Sequence, residues 1–253
     1  MSVKIIAHRG ANKVAPQNTL PAFEKAFEMR ADGIETDVHL TADGVPFICH
    51  NYEIDKTSNG AGEIRKMNLD VLRNFDFGSY FSYDFEGTKA PTLDELLSLC
   101  EKNDFEILNI ELKPSLEHDV SVVKKTLDAV KEHGLYERLL ISSFSSEMLV
   151  EAKKVDRTCR TAYLYSADKK EALRMMFRAA DFAKELGCCA LHPQTYYVNK
   201  KYVEEAHSKG VQVNVWTVDK EKDIIRLAEM GVDGLITDVP DFAREVLKKN
   251  GLL

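Results

Sequence analysis

Short apolar runs alternate along the chain with longer stretches in which apolar residues recur at helical spacing. Runs of about four to eight apolar residues are typical of strands buried on both faces, and the amphipathic stretches are typical of helices covering a parallel sheet. The predicted strands span residues 3–8, 33–38, 106–112, 139–143, 161–165, 188–192, 211–217 and 234–237. This alternation predicts an α/β protein with the (β/α)₈ fold of a TIM barrel.

Helices are predicted between most of these strands, over residues 19–30, 116–132, 145–155, 169–186, 199–209 and 220–230. A glycine follows several of them before the next strand begins, where a left-handed backbone conformation often ends a helix. The predicted helix-ending glycines are Gly33, Gly134, Gly187, Gly210 and Gly231. Helix, glycine and strand therefore form the repeating unit of the predicted barrel.

Residues 45–50 form an apolar run that breaks this alternation, because only the turn at 41–44 separates it from the preceding strand. So short a connection predicts an antiparallel hairpin beside the barrel mouth. Residues 51–90 are expected to form a small inserted subdomain over that mouth, packed on its own aromatic residues, within a single domain of residues 1–253. The aromatic residues are Phe75, Phe77, Tyr80, Phe81, Tyr83 and Phe85.

The amino-acid composition agrees with this fold and limits the classes of binding partner. The 253 residues are 44% hydrophobic and 30% charged, which predicts a sizeable core and a soluble protein. A formal net charge of −7 argues against a nucleic-acid backbone as the partner. The first apolar run turns polar at His8 and Arg9, so we expect a cytoplasmic protein without stable membrane insertion. The five cysteines lack zinc-ligand spacing and are expected to be reduced.

Charged residues gather at the carboxyl ends of predicted strands, which is where the active sites of parallel barrels lie. Glu35 and Asp37 are two residues apart on one strand and point to the same side, and Glu111 lies on the next barrel strand. Neighbouring strands are about 4.8 Å apart, so the three carboxylates should meet. Oxygen ligands predict one divalent cation, Mg²⁺ or Ca²⁺, with Mn²⁺ also suitable. A salt-bridge network with Arg9 and Lys113 is the structural alternative.

Two histidines fall on the same rim of the predicted barrel. His8 ends the first strand and His50 closes the hairpin, and a pair of imidazoles can serve as base and acid in one reaction. Trp216 lies near the end of another strand, where a substrate wall is favoured over core packing. No serine or cysteine stands in a motif with an adjacent base, so the nucleophile is expected to be water or a substrate hydroxyl.

The charges of this rim match a phosphodiester only when a metal ion is included. Three carboxylates carry −3, and a divalent cation brings the sum to −1. Arg9 and Lys113 then raise it to +1, which suits a monoanionic phosphodiester. Without the metal the site would repel such a substrate.

Several motifs, in their order and spacing, resemble those of the glycerophosphodiester phosphodiesterases over almost the entire chain. They are HRG at 8–10, PQNT at 16–19, ETDV at 35–38, TADG at 41–44 leading to His50, NIELK at 109–113, Ser143-Phe144 and Trp216-Thr217. The segment at 51–90 with PTLDE at 91–95 resembles that family's inserted segment. Two positions depart from the family pattern, with Gln17 in place of Glu and Asn51 in place of Asp.

The resemblance implies metal-dependent hydrolysis of a small-molecule glycerophosphodiester to an alcohol and glycerol 3-phosphate, through a cyclic phosphate. It makes His8 and His50 the acid–base pair. It assigns the metal to Glu35, Asp37 and Glu111, phosphate binding to Arg9 and Lys113, and the pocket walls to Phe144 and Trp216. Two alternatives stay open: another barrel phosphodiesterase, such as a phosphoinositide phospholipase C or a sphingomyelinase D-like enzyme, and a module that binds phosphorylated glycerol compounds without turnover. The leaving alcohol and the oligomeric state do not follow from the sequence.

Overall fold

The computed structural model describes residues 2–114, 119–165 and 178–253. Its strands are β1 (Lys4–His8), β2 (Gly33–Leu40), β3 (Pro46–Ile48), β4 (Ile107–Leu112), β5 (Leu139–Ser143), β6 (Thr161–Tyr165), β7 (Ala190–Pro193), β8 (Gln212–Val215) and β9 (Gly234–Thr237). Every strand except β3 pairs in parallel with its neighbours, and β1 joins both β2 and β9. These eight parallel strands close a barrel, which confirms the predicted (β/α)₈ fold.

Helices surround the barrel. They span Leu20–Glu28, Leu69–Leu72, Leu93–Cys100, Ser121–Glu132, Ser146–Val155, Lys200–Ser208, Glu221–Met230 and Pro240–Lys249, and residues 178–185 are also helical. The predicted helices are confirmed wherever the structure describes them, whereas the predictions over 116–118 and 169–177 lie outside the described residues. No described helix combines the length and apolar composition that crossing a membrane requires.

Three of these helices were not predicted: the single turn Leu69–Leu72, Leu93–Cys100 and Pro240–Lys249. The last two have a recognisable start. The helix Leu93–Cys100 begins with a capping box, in which the Thr92 hydroxyl and the Glu95 carboxylate satisfy each other's backbone N–H groups. The helix Pro240–Lys249 has proline at its first turn, where the missing N–H costs nothing.

The glycine predictions are confirmed at four positions and wrong at the fifth. Gly134, Gly187, Gly210 and Gly231 have positive φ angles of 68°, 71°, 69° and 82°. Gly33 instead opens β2, and the left-handed residue after the preceding helix is Arg30, with φ of 56°. Gly33 is needed for space, because a Cβ there would lie 2.5 Å from the carbonyl oxygen of Ile107 on the neighbouring strand.

The predicted hairpin is present, since β3 pairs antiparallel with the end of β2. The segment after it has its own buried cluster, formed by Phe47, Cys49, Ile54, Ile64, Leu72, Phe77 and Ala90. The expectation that residues 51–90 pack on their own aromatic residues holds for four of the six: Phe77 is buried in this cluster, Phe75 packs against it, and the rings of Phe81 and Phe85 contact each other. Tyr80 and Tyr83 are 41% and 81% exposed, and the rest of the cluster consists of aliphatic side chains, Cys49 and Phe47 of β3. The role of this segment as a separate subdomain stays a prediction.

Candidate active site

Three carboxylates meet at the carboxyl ends of β2 and β4. Asp37 lies directly beside Glu111 in the parallel register, and Glu35 lies beside Asn109. Glu35, Asp37 and Glu111 are 4%, 1% and 7% exposed, and each offers an oxygen within 4.8 Å of the others. The predicted convergence is therefore present, in a nearly water-free environment where like charges repel strongly.

Two cations contact this cluster. Lys113 Nζ lies 2.8 Å from Asp37 Oδ1 and 2.5 Å from Glu111 Oε1, and Arg9 Nε lies 3.5 Å from Asp37 Oδ2. Burial alone would raise the pKa of Asp37, but the charges of Lys113 and Arg9 hold it well below its usual value. The salt bridges that the sequence analysis named as the structural alternative are therefore present, and they keep Asp37 ionised.

These cations do not balance the cluster, since three carboxylates carry −3 and two cations supply +2. Burial and the charge of Asp37 raise the pKa of Glu35 well above its usual value. Burial raises the pKa of Glu111 to about 7 despite the opposing charge of Lys113. A further cation would relieve this excess, and oxygen ligands that converge within 4.8 Å suit a divalent ion such as Mg²⁺ or Ca²⁺.

An amide that had no predicted role supports the cluster from behind. Asn18 Nδ2 donates a hydrogen bond of 2.8 Å to Asp37 Oδ2, and Asn18 Oδ1 accepts one of 3.0 Å from the Thr36 hydroxyl. Asn18 adopts a left-handed backbone with φ of 58°, a conformation that asparagine tolerates better than most residues. Both its side-chain oxygen and nitrogen are used, so its orientation is fixed.

Arg9 is placed over the carboxylates by an unusual turn after β1. Its φ is 56°, and its backbone N–H donates to Glu35 Oε2 at 3.0 Å. The next residue, Gly10, passes so close to the first helix that a Cβ would lie 2.6 Å from the carbonyl carbon of Ala22. Arg9 Nη1 donates to Gln17 Oε1 at 2.6 Å, a neutral partner that does not compete with the carboxylates for the guanidinium charge.

The two predicted histidines line one cavity, and each is held through Nδ1. His8 Nδ1 lies 2.7 Å from Asp238 Oδ1, and His50 Nδ1 lies 2.9 Å from Asn51 Oδ1. A carboxylate only accepts hydrogen bonds, so His8 carries its proton on Nδ1 when neutral and turns Nε2 elsewhere. Burial lowers the pKa of His50 to about 4 in spite of the attraction of Asp37, so His50 is neutral at neutral pH.

Asp238 is a functional candidate that sequence reasoning missed. It follows β9, which pairs with β1 and brings the carboxylate next to His8. Lys13 Nζ and the Asn12 amide also contact Asp238, at 3.2 Å and 2.6 Å. Burial opposes the charge of Asp238, but the hydrogen bond from His8 lowers its pKa below the usual value. The sequence does hold one signal for Asp238, since an acidic residue directly after the last barrel strand lies at the mouth, where active-site residues are found.

Phe144 and Trp216 form an aromatic wall. Their ring centroids are 5.7 Å apart with planes at 85°, and Trp216 Nε1 donates to the carbonyl oxygen of His192 at 2.7 Å. They border a cavity of about 100 Å³ whose lining also includes His8, Arg9, Glu35, His50 and Glu111. Lys113 lines an adjoining open groove of about 410 Å³ that runs past Tyr52 and Phe144. Asp37 lies behind this surface. The predicted residues thus converge, and their roles stay predictions.

Comparisons with known proteins agree on one family. A model of the glycerophosphoryl diester phosphodiesterase family matches residues 8–242. A glycerophosphodiester phosphodiesterase of Caldanaerobacter subterraneus subsp. tengcongensis is 36% identical over 99% of this chain and 100% of that protein. A phosphodiesterase of Oleispira antarctica, solved in complex with the product sn-glycerol-3-phosphate, has a TM-score of 0.88 at 27% identity, covering 98% of this chain and 97% of that one. The glycerophosphodiester phosphodiesterase of Agrobacterium tumefaciens str. C58 has a TM-score of 0.81 at 26% identity, covering 96% and 99%.

The fold and these similarities define the protein as a phosphoric diester hydrolase built on a (β/α)₈ barrel. The chain belongs to the glycerophosphoryl diester phosphodiesterase family. Among the barrel phosphodiesterases considered from the sequence, the family match selects this one.

Divalent cations are expected to stabilise the folded protein, because they offset repulsion among Glu35, Asp37 and Glu111. An ion at about 100 times its dissociation constant adds about 2.7 kcal/mol to the free energy of unfolding. Thermal unfolding should show a higher Tm with Mg²⁺, Ca²⁺ or Mn²⁺ than with chelator, and Glu111→Gln should largely abolish the difference. Glu106→Gln should retain it, since Glu106 precedes β4 and is 61% exposed. A wild-type Tm indifferent to all three ions would contradict a metal centre.

Proposed function

We propose that this protein hydrolyses glycerophosphodiesters to an alcohol and glycerol 3-phosphate, with one divalent metal ion and a histidine pair as acid and base. The observation that carries the proposal is the single cavity that combines His8 and His50 with Glu35, Glu111 and Arg9. The names of the relatives, and the product bound to the Oleispira antarctica enzyme, support the substrate class.

Glu35, Asp37 and Glu111 would hold the metal ion, either Mg²⁺ or Ca²⁺, with Mn²⁺ also suitable. When bound, the ion supplies positive charge that stabilises the phosphate oxygens and acidifies a nearby hydroxyl. Arg9 and Lys113 contact the phosphate and stabilise charge that develops on it. Phe144 and Trp216 shield one side of the cavity from water.

The nucleophile is the C2 hydroxyl of the substrate. It lies next to the C3 phosphate ester, so its attack is intramolecular and gains effective concentration over bulk water. Ser142 lines the cavity, but its oxygen accepts a hydrogen bond from Asn109, and no hydrogen bond joins it to a histidine or carboxylate among the described residues. The protein itself therefore offers no activated hydroxyl at this point.

Two proton transfers complete each half of the reaction. One histidine takes the C2 hydroxyl proton while the oxygen attacks phosphorus, and the other protonates the departing alcohol as the P–O bond breaks. The product of this half is a cyclic phosphate that spans C2 and C3 of the glycerol. Water then opens the ring with the histidines in reversed roles, which yields glycerol 3-phosphate and restores both protonation states.

The direct test is release of glycerol 3-phosphate from a panel of diesters with choline, ethanolamine, inositol or glycerol as the alcohol. We expect turnover with Mg²⁺, Ca²⁺ or Mn²⁺ and none in excess chelator. Glycerol 3-phosphate and the free alcohol should form in equal amounts. Absence of release from every diester with all three ions would refute the proposed function, and full activity in chelator would refute the metal.

Removing either histidine should lower kcat without unfolding the protein. Positioned acid–base groups contribute roughly 10² to 10⁴-fold each, so His8→Ala and His50→Ala should each lose at least about 100-fold. His207→Ala is the matched control, because His207 lies on the outer helix Lys200–Ser208 and contacts Asp233. Circular dichroism and Tm should verify the fold of each variant. Near wild-type kcat in His8→Ala or His50→Ala would remove that histidine from the mechanism.

The intramolecular step predicts a strict need for the C2 hydroxyl. A diester of 2-deoxyglycerol should bind as a competitive inhibitor but not turn over, because it lacks the nucleophile. The measurement is the rate of alcohol release from this analogue beside that from the natural diester. Comparable rates would show that water attacks directly and that no cyclic phosphate forms.

A further inference from the structure

Two buried polar atoms of residues that line the His8–His50 cavity have no partner within the described part of the chain. His192 Nδ1 and Asn109 Oδ1 have no hydrogen bond among the described residues, and both side chains are 0% exposed. Both residues line the same cavity as His8 and His50. A buried donor or acceptor without a partner is costly, so such atoms commonly face a ligand or an ordered water.

The hydrogen bonds of the other side-chain atoms determine whether each unpaired atom is a donor or an acceptor. Asn109 Nδ2 donates to the Leu140 carbonyl at 3.1 Å and to the Ser142 hydroxyl at 2.8 Å, which leaves Oδ1 as an acceptor. His192 Nε2 accepts from Asn214 Nδ2 at 3.0 Å, so the ring proton sits on Nδ1, which is a donor. Burial lowers the pKa of His192 to about 3, and the ring is therefore neutral at neutral pH.

A hydroxyl group suits this pair of atoms, since it accepts one hydrogen bond and donates another. Asn109 precedes Glu111 by two residues on β4, which places it roughly 6.6 Å further down the strand than Glu111 and level with Glu35. The cavity volume of about 100 Å³ corresponds to roughly three water molecules at about 30 Å³ each, or a short polyol.

We propose that His192 and Asn109 bind the terminal C1 hydroxyl of the glycerol unit and so select glycerol diesters over other alkyl phosphodiesters. This proposal rests on the proposed function. The phosphate and the C2 hydroxyl lie at the level of the carboxylates, and the C1 hydroxyl points to the bottom of the cavity. His192 and Asn109 are specificity residues, because they touch the substrate away from the reacting atoms.

The test compares a glycerophosphodiester with the matching diester of propane-1,2-diol, which keeps the C2 hydroxyl and lacks only the C1 hydroxyl. Leaving buried polar groups unpaired costs about 5- to 150-fold, so wild-type kcat/KM should fall by that factor on the deoxy substrate. His192→Phe should lose a similar factor on the glycerol diester but less than about twofold on the deoxy diester. Leu164 lines the same cavity without a polar group, so the control variant Leu164→Met should change kcat/KM by the same factor for both substrates.

A binding measurement on the wild-type protein covers the case in which His192→Phe does not fold. Calorimetry with Mg²⁺ should show tighter binding of sn-glycerol 3-phosphate than of propane-1,2-diol 1-phosphate, and the first ligand alone should shift the ¹⁵N resonance of His192 Nδ1. Equal losses of His192→Phe on both substrates, or equal binding of both ligands, would overturn the proposal. Failure of the wild type to hydrolyse any glycerophosphodiester would instead refute the proposed function.

Discussion

Burial of three carboxylates side by side is the constraint on which the rest of the site depends. Parallel pairing sets Asp37 on β2 beside Glu111 on β4, where little water remains to screen their repulsion. Lys113, Arg9 and Asn18 all direct a positive charge or an N–H group at Asp37, so this carboxylate stays ionised. Glu35 and Glu111 receive less compensation, and burial together with the charge of Asp37 raises the pKa of both.

The two departures from the family pattern both fall on neutral partners of functional side chains. Gln17 accepts a hydrogen bond from Arg9 and brings no negative charge of its own, so the guanidinium charge acts on the carboxylates alone. Asn51 holds the ring of His50 through a hydrogen bond and is likewise neutral. Because this partner carries no charge, the effect of burial dominates and keeps the pKa of His50 low. His8 differs, since its partner Asp238 is a carboxylate. Both histidines are thus held through Nδ1, but only His8 is held by a charged partner.

Sequence patterns predicted the barrel strands, the hairpin and the meeting of Glu35, Asp37 and Glu111, because strand alternation and the carboxyl-end position are local properties. Asp238 was missed because its value depends on barrel closure, which brings the last strand to the first. The free atoms of His192 and Asn109 could not be foreseen, since which polar atoms stay unpaired depends on packing. Tyr83 shows the same limit, because an aromatic-rich segment does not reveal which rings face the solvent.

The hydrogen bond between His8 and Asp238 joins residues 230 positions apart. A chain grows from its N-terminus, so the carboxylates, the arginine and both histidines are synthesised well before the aspartate that holds His8. Until β9 docks against β1, the ring of His8 has no fixed orientation and the mouth of the barrel has a gap. Docking of β9 therefore closes the barrel and fixes the ring of His8 in the same step. A chain that ended before β9 would keep all three carboxylates and both histidines, yet it would lack the contact that orients His8.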